Sequence, residues 1–218
     1  MEIQFFGHSC FRLKFKKEIV VTDPFDSQVT GLKLPKINAD IVTVSHQHQD
    51  HNNFSAILGT PQRPEPFLIS GPGEYEIGEI RIIGISSFHD KKKGKERGKN
   101  TIYLFESEGL RLVHLGDLGE KLTEEQLEEL EGSDIVFVPV GGKYTLSPQE
   151  AKEVITQINP SIVIPMHYAL PGMKFDLEKV EDFLEIMGIE KPSFLPKLII
   201  KGENLPEERE VIVLNARG

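Results

Sequence analysis

Four side chains that can bind a metal stand within six positions of one another, namely His46, His48, Asp50 and His51. They follow residues 41–44, a short β-branched run that predicts a buried strand. If the chain stays extended past this strand, the period of two sends His46 and His48 to the same side, whereas the adjacent Asp50 and His51 diverge. Two neighbouring sites would use all four side chains. Neutral imidazoles with a carboxylate suit Zn²⁺ and other borderline divalent metals.

An accidental surface cluster or an affinity tag would have a similar composition. A tag, however, does not stand in mid-chain behind a strand and contain an aspartate. The spacing therefore favours a metal site.

Single metal-competent residues follow several further strands that the sequence predicts. The runs at 80–87, 110–115 and 161–164 read as strands, and His89, Asp117 and His167 stand just after them. Side chains at strand ends gather at one rim of a sheet, which is where α/β-type folds place their sites. Alone, His89 and His167 would be interpreted as structural. They become candidate ligands because other metal-competent residues also follow predicted strands.

Taken in order, His46-x-His48-x-Asp50-His51, His89, Asp117 and His167 resemble the five metal-binding motifs of the metallo-β-lactamase superfamily. More narrowly, four segments resemble a branch of small metal-dependent hydrolases: Gly7-His8-Ser9, the His89-Asp90 loop with Arg97-Gly98, His114-x-Gly116-Asp117, and Pro165-Met166-His167-Tyr168. That branch includes ascorbate-6-phosphate lactonase and is similar to the phospholipase that cleaves N-acyl phosphatidylethanolamine. The resemblance covers essentially the whole chain. It implies an α/β (α+β) fold, a four-layer αββα sandwich with mixed β-sheets, in a single domain over residues 1–218.

The resemblance also implies a ligand set for two divalent ions, with Zn expected first and Mn or Fe as alternatives. His46, His48 and His89 would hold the first ion, Asp50, His51 and His167 the second, and Asp117 would bridge them. Two such ions can share a water and lower its pKa toward roughly 7, so that a hydroxide attacks a carbonyl or phosphorus centre. Asp50, His51 and Asp117 are the expected catalytic residues, and Asp50 would orient the hydroxide or pass a proton to the leaving group.

Three residues near this set have two interpretations each. His8 either faces the metal cleft or bonds its own loop. Asp23 either forms an ordinary Asp-Pro turn or, as the resemblance implies, lies beneath residues 46–51, the histidine loop. In the second case it would accept a ring N–H from a ligand. His114 is predicted to be a core or supporting histidine rather than a ligand.

Residues 90–99 are expected to form a hydrophilic, flexible loop with six Lys or Arg against two Asp or Glu. This loop is either a solvated hairpin connection or a cationic lid that recruits an anionic substrate. Together with His8, three residues are candidate substrate contacts: Arg97, Lys143 and Tyr144. Each of those three could instead only shape a loop.

Composition narrows the class of protein. The net charge of −9 argues against a general nucleic-acid binder. A single cysteine, Cys10, excludes an internal disulfide framework and fits a reducing cytosol. No apolar run approaches membrane-spanning length and the first residues lack signal-peptide features, so the expected location is cytoplasmic. The oligomeric state stays open, and a homo-oligomer is one outcome.

The leading hypothesis is a metal-dependent hydrolase that cleaves an ester-type bond, a phosphodiester or a lactone, in a small or medium anionic substrate. The alternative is a non-catalytic metal-binding or interaction module on the same fold. β-Lactam hydrolysis is disfavoured without an export signal. A nuclease is disfavoured because 218 residues leave little room for added nucleic-acid-binding elements. Redox chemistry at di-iron is disfavoured because His48 stands where such proteins place Glu.

Other patterns predict the remaining elements. Strands are expected at residues 3–6, 11–15, 19–22, 67–70, 74–77, 101–106, 135–140, 198–200 and 211–214. Capping boxes beginning at Thr123 and Ser147 predict helices that run to about residues 131 and 158. An amphipathic helix is expected over residues 176–187, and a short one over residues 52–58.

Overall fold

In the computed structural model, which describes residues 1–217, the strands form two mixed β-sheets. Within this range the first sheet has six strands, in the spatial order β13 (Leu198–Ile199), β1 (Glu2–Gly7), β2 (Cys10–Lys14), β3 (Ile19–Thr22), β4 (Ile41–Thr43) and β5 (Phe67–Ile69). The second has eight, in the order β12 (Ser193–Leu195), β14 (Glu210–Leu214), β11 (Ile162–Met166), β10 (Ile135–Pro139), β9 (Leu110–His114), β8 (Lys99–Ser107), β7 (Ile80–Phe88) and β6 (Gly73–Ile77).

Four α-helices complete the described part of the chain: α1 (Ser27–Thr30), α2 (Glu124–Leu130), α3 (Pro148–Ile158) and α4 (Val180–Met187). Both predicted capping boxes are present, at Thr123 and at Ser147. The helix predicted from residue 176 begins instead at Val180. The preceding residues use their backbone in loop contacts, since Glu178 N–H donates to the Gly141 carbonyl and Ala169 N–H donates to the Glu178 carbonyl. The helix predicted at 52–58 is a single 3₁₀ turn, Phe54–Ala56.

Alternate residues of the first sheet face two different apolar regions, as the period of a strand requires. Val20 and Ile41 belong to the main core, which the two sheets share. Their neighbours Val21 and Val42 point to the other side and pack against the segment between β3 and β4. Helix α3 contacts α2, α4 and strand β10 of the second sheet. The predicted α/β sandwich with mixed sheets is confirmed, although the outer layer on the first sheet is mostly loop.

The strands that precede the candidate ligands run in one direction within each sheet. In the first sheet β3 and β4 are parallel, and β1 has the same direction because β2 is antiparallel to both β1 and β3. In the second sheet β9, β10 and β11 are parallel, and β7 shares their direction through β8. Their carboxyl ends therefore lie at one end of each sheet.

Hydrogen bonds join the two sheets at that end. The buried Tyr103 hydroxyl donates to the Val44 carbonyl at 2.9 Å, just before the histidine loop. Thr101 N–H donates to the Ser45 carbonyl at 2.9 Å, and His167 N–H donates to the His8 carbonyl at 2.7 Å. The loops from opposite sheets are thus fixed to one another by their backbones.

Among residues 1–217, no helix is both long enough and apolar enough to cross a lipid bilayer.

Replacing Tyr103 by Phe is expected to lower the free energy of unfolding by about 1–3 kcal/mol, because a buried hydrogen bond between the sheets is lost. Urea denaturation measures the change. Tyr144→Phe is the matched control, since this ring is exposed and its hydroxyl has no hydrogen bond among the described residues. The control should stay within about 0.5 kcal/mol of the parent protein. Equal effects of the two changes would contradict a structural role for the Tyr103 hydroxyl.

Candidate metal centre and substrate cavity

The histidine loop is anchored from below by Asp23. This carboxylate accepts the Ser45 N–H at 2.8 Å and the Ser45 hydroxyl at 2.5 Å. Because the hydroxyl gives its proton to Asp23, the Ser45 oxygen accepts the N–H of His46 Nδ1, which lies 2.9 Å away. His46 Nε2 is then left without a proton and with its lone pair free to bind a cation.

His51 is oriented in the same way, since its Nδ1 N–H donates to Asp23 Oδ2 at 2.9 Å. Both Asp23 and His51 are fully buried. Asp23 therefore has the place beneath the histidine loop that the family resemblance implies, rather than that of an ordinary Asp-Pro turn.

The candidate ligands fall into two groups of converging side chains. His46, His48 and His89 form one group, and Asp50, His51 and His167 form the other together with His8. In each group, one donor atom per residue lies within 4.8 Å of all the others. This is the division that the sequence resemblance predicts for two ions, with His8 as an addition. A third possible grouping uses Asp23, but its oxygens are already hydrogen-bonded to Ser45 and His51.

Asp117 lies between the two groups. Its Oδ2 is 3.9 Å from His46 Nε2 and 3.2 Å from His89 Nε2 on one side. On the other side it is 3.2 Å from His51 Nε2 and 3.1 Å from His167 Nε2. A single carboxylate oxygen therefore lies within 3.9 Å of imidazoles of both groups.

Several buried atoms in this cluster have no hydrogen-bond partner in the described structure. They include Nε2 of His46 and Oδ1 of Asp117. Buried polar atoms in folded proteins are normally paired, and unpaired ones indicate a binding or catalytic role. Imidazole nitrogens and carboxylate oxygens are also the donor types that bind Zn²⁺ and related metals. The residues present thus fit divalent cations.

The charges of the cluster are set by mutual contacts. Burial alone would raise the pKa of Asp117, but the His167 and His51 imidazoles outweigh burial and hold this pKa well below its usual range. Burial would lower the pKa of His51, but the carboxylates of Asp117 and Asp23 hold it well above its usual value. Burial and the neighbouring His51 lower the pKa of His46 to about 3. These contacts favour an ionised Asp117 and a neutral His46, and they make His51 easier to protonate than a free imidazole.

His8 faces the cluster rather than only its own loop. Its Nε2 lies 3.0 Å from Asp50 Oδ2, and burial with the neighbouring His167 lowers its pKa to about 4. A neutral His8 donates the Nε2 proton to Asp50 and so fixes this carboxylate. His8 and His167 both have a left-handed backbone, with φ of 57° and 55°. Such conformations are costly for non-glycine residues and concentrate at functional sites.

His114 supports the site without joining it, as predicted. It is fully buried; its Nε2 donates to the Ser9 carbonyl at 2.9 Å, and Gly116 N–H donates to its Nδ1 at 3.2 Å. Both ring nitrogens are therefore used, and none is left for a cation.

A cavity of about 200 Å³ opens over the cluster. Five candidate ligands line it, namely His48, Asp50, His89, Asp117 and His167. The rest of the wall is Arg97, Tyr144 and Phe175, and the Arg97 guanidinium lies 5.4 Å from the centroid of the Tyr144 ring. Of the predicted substrate residues, Arg97 and Tyr144 reach this cavity.

The other two predicted substrate residues lie elsewhere. Lys143 is ion-paired with Asp176 and lines a neighbouring cavity of about 350 Å³, which shares His89, Arg97 and Tyr144 with the first. His8 lies behind Asp50. Neither lines the cavity above the candidate ligands, so their direct contact with a substrate remains a prediction.

The family can now be assigned. The sequence model of one protein family, the Beta-lactamase superfamily domain, matches residues 2–167. This range contains every candidate ligand. The chain belongs to the metallo-β-lactamase superfamily.

Individual relatives agree with this assignment. A curated protein of Thermococcus onnurineus, named UPF0173 metal-dependent hydrolase, is 27% identical over 211 residues, which are 86% of this chain and 92% of that protein. A UPF0173 metal-dependent hydrolase of Thermoplasma acidophilum is 29% identical over 187 residues, 77% of this chain and 83% of that protein. A crystal structure from Thermotoga maritima, described as a proposed Zn-dependent hydrolase of the metallo-β-lactamase superfamily, is 38% identical with a TM-score of 0.80 and covers 99% of both chains. This superfamily member is accordingly a metal-dependent hydrolase.

Two glycines allow the ligand-bearing loops of this metallo-β-lactamase fold to meet. A Cβ at Gly119 would lie 2.4 Å from the His89 carbonyl carbon, and one at Gly141 would lie 2.0 Å from the His167 carbonyl oxygen. Neither distance is possible for real atoms. A side chain at either position must therefore shift the backbone of the glycine's loop or that of the neighbouring candidate ligand, His89 or His167.

Some supporting residues escaped sequence reasoning. Asn100 accepts the Asp117 N–H at 3.0 Å through Oδ1, and its Nδ2 donates to the Leu115 carbonyl and the Ser87 hydroxyl. Phe175 stacks on His8, with ring centroids 5.7 Å apart. A lone Asn at the start of a strand gives no sequence signal of its role. Phe175 lies in a loop whose path is set by residues far away in the sequence.

In the metal-free protein, His51 is expected to keep its proton through neutral pH, whereas His46 stays neutral. The pair of His51 with Asp117 then contributes stability that is fully present below the unfolded-state pKa of about 6.5 and is lost as the pH rises through the higher folded-state pKa. ¹⁵N NMR of the histidine side chains, recorded over a range of pH around neutrality, measures the protonation of His46 and of His51. Asp23→Asn removes one of the carboxylates and should lower the His51 pKa. A His51 that titrates below its ordinary value would contradict this electrostatic description.

Gly141→Ala is expected to displace His167 and weaken Zn²⁺ binding by about 10–100-fold, the size of effect seen when groups that orient a ligand are changed. Titration against a competing chelator measures the affinity. Gly71→Ala is the matched control, because an added Cβ there meets nothing within 4 Å. If both variants bind Zn²⁺ like the parent chain, the close approach at Gly141 does not position His167.

Proposed function

We propose that this hydrolase holds two divalent metal ions and uses them to cleave an ester-type bond, a phosphodiester or a lactone, in an anionic substrate. His46, His48 and His89 would hold one ion, Asp50, His51 and His167 the other, and Asp117 both. The observation that carries the proposal is the place of Asp117 Oδ2, which lies within 3.9 Å of imidazoles from both groups. A site for one ion would not need two separate groups of ligands around one carboxylate.

Zn²⁺ is the first choice of metal, with Mn²⁺ or Fe²⁺ as alternatives. The candidate set is rich in imidazole, which suits Zn²⁺. The Thermotoga maritima relative is described as Zn-dependent, which supports the same choice here. Two such ions would supply an ionised water near neutral pH and polarise the substrate oxygen.

The protein side chains have their own parts in this proposal. Asp50 lines the cavity and is held by His8, so that its second oxygen can orient water or pass a proton to a leaving group. Asp117 and His51 set the charge at the centre, and the buried Asp23 fixes the ring plane of His51. The catalytic roles proposed for Asp50, His51 and Asp117 therefore rest on contacts as well as on resemblance.

The anionic substrate is proposed from the cavity wall. Arg97 has no acidic partner among residues 1–217, and its guanidinium is stacked on Tyr144 at the rim of the cluster. Arginine in such a position suits phosphate or carboxylate groups. The cavity of about 200 Å³ suits a small reacting group with the rest of the substrate outside. With one buried cysteine in the described chain, a reducing cytosol is the proposed compartment.

Asp117→Ala is the test of this function. In elemental analysis of protein purified without chelator, the parent chain is expected to hold about two ions and the variant far fewer. The variant should also lose at least about 100-fold in turnover of phosphodiesters and lactones, since both metal groups lose a ligand. Glu125→Ala, which removes an exposed carboxylate of α2, is the control and should change neither value.

The outcomes separate the two hypotheses. An unchanged rate in Asp117→Ala would overturn the hydrolytic mechanism. Tight metal binding by the parent chain without turnover on a broad ester panel would favour the non-catalytic metal-binding module.

A further inference from the structure

The lysine-rich loop predicted to be flexible is folded around one carboxylate. Asp90 directly follows His89 and is buried, with 4% of its surface exposed. Its two oxygens accept four backbone N–H groups of the loop: Oδ1 accepts from Lys92 at 2.8 Å and Gly94 at 3.0 Å, and Oδ2 accepts from Glu96 at 3.0 Å and Arg97 at 2.8 Å. The Asp90 carboxylate thus accepts backbone N–H groups that would donate to backbone carbonyls in a strand or helix.

The base of the loop is closed by backbone bonds. His89 N–H donates to the Gly98 carbonyl at 3.1 Å, and Gly98 N–H donates to the Gly94 carbonyl at 3.1 Å. The loop concentrates positive charge, and its like charges repel one another. Hydrogen bonds from N–H groups to an ionised carboxylate are among the strongest in proteins, and four of them oppose this repulsion.

Among residues 1–217, Arg97 is the one cationic side chain of this loop that lines the cavity above the candidate ligands. Lys91 and Lys92 are ion-paired with Glu150 and Glu96, both at 2.5 Å. The half-buried Arg97 instead lies over the Tyr144 ring and lines the cavity. Its backbone N–H is one of the four that Asp90 holds, so the carboxylate fixes the main chain from which this side chain extends.

We propose that Asp90 is a positioning residue that fixes Arg97 at the cavity wall, where Arg97 binds a phosphate or carboxylate group of the substrate beside the bond to be cleaved. This inference rests on the proposed function and narrows its substrate class to compounds whose anionic group lies at or next to the scissile bond. The planar guanidinium, stacked on Tyr144, offers two parallel N–H groups to such an anion.

Asp90→Asn is the decisive variant, because its side chain keeps the size of aspartate but has one oxygen instead of two. Two of the four loop N–H groups must then face an NH₂ group. Arg97→Gln removes the cation and leaves Asp90 in place. Lys95→Gln removes an exposed charge of the same loop and is the matched control. Elemental analysis of the three variants checks that metal content stays equal.

Three measurements on the full chain test the proposal. Hydrogen exchange of residues 90–99 should accelerate by roughly 10–100-fold in Asp90→Asn and stay unchanged in the other two variants. Calorimetric affinity for inorganic phosphate should fall by about tenfold or more in both Asp90→Asn and Arg97→Gln. With bis(p-nitrophenyl) phosphate, the same two variants should raise KM more than they lower kcat. Lys95→Gln should match the parent chain throughout.

Two results would overturn the inference. The first is unchanged exchange in Asp90→Asn, which would show that the carboxylate does not hold the loop. The second is accelerated exchange with unchanged phosphate affinity, which would show that the loop does not position an anion-binding group. If the parent chain hydrolyses no ester while exchange and phosphate binding follow the expected pattern, the proposed function fails and the anion site stands.

Discussion

The structure depends on one buried carboxylate, that of Asp117, at the meeting point of two groups of imidazoles. A buried charge of this kind is tolerable only with close partners, and Asp117 has four histidine nitrogens within 3.9 Å. Its backbone is held by Asn100, and a Cβ at Gly116 would lie 2.4 Å from Asn100 Oδ1. The strand directions of both sheets and the close glycine contacts all serve to bring these groups around one oxygen.

Strained backbone angles and unpaired polar atoms are found around Asp117 and the histidines that contact it. His8, Asp23 and His167 have positive φ angles, and several ring nitrogens nearby have no partner. These features reduce the stability of the folded chain. They are compensated by the extensive buried core between the sheets and by bonds such as that of Tyr103, which lie just beneath the site. A rigid, apolar support allows a polar and strained rim, as is common for catalytic sites.

The sequence predicted the residues of the cluster because their chemistry is local. His46 to His51 form a dense motif, and His89, Asp117 and His167 each follow a strand whose end could be read from β-branched runs. The role of Asp23 could be anticipated only by resemblance. Asn100, Phe175 and the loop-holding Asp90 could not be predicted, since their roles depend on which backbone groups the fold leaves without partners. For the same reason α4 begins later than its amphipathic pattern suggests: residues ahead of it already bond to the loop at Gly141.

The chain order of the strands has a consequence for synthesis on the ribosome. His167 follows β11, whose parallel partner β14 ends at Leu214, and β1 at the amino terminus pairs with β13 near the carboxyl terminus. The first six candidate ligands thus leave the ribosome well before the strands that complete both sheets. Pairing between segments so distant in sequence is slow to form. In a nascent chain, the histidines made first would therefore be exposed without their partners until β11 and His167 have followed them.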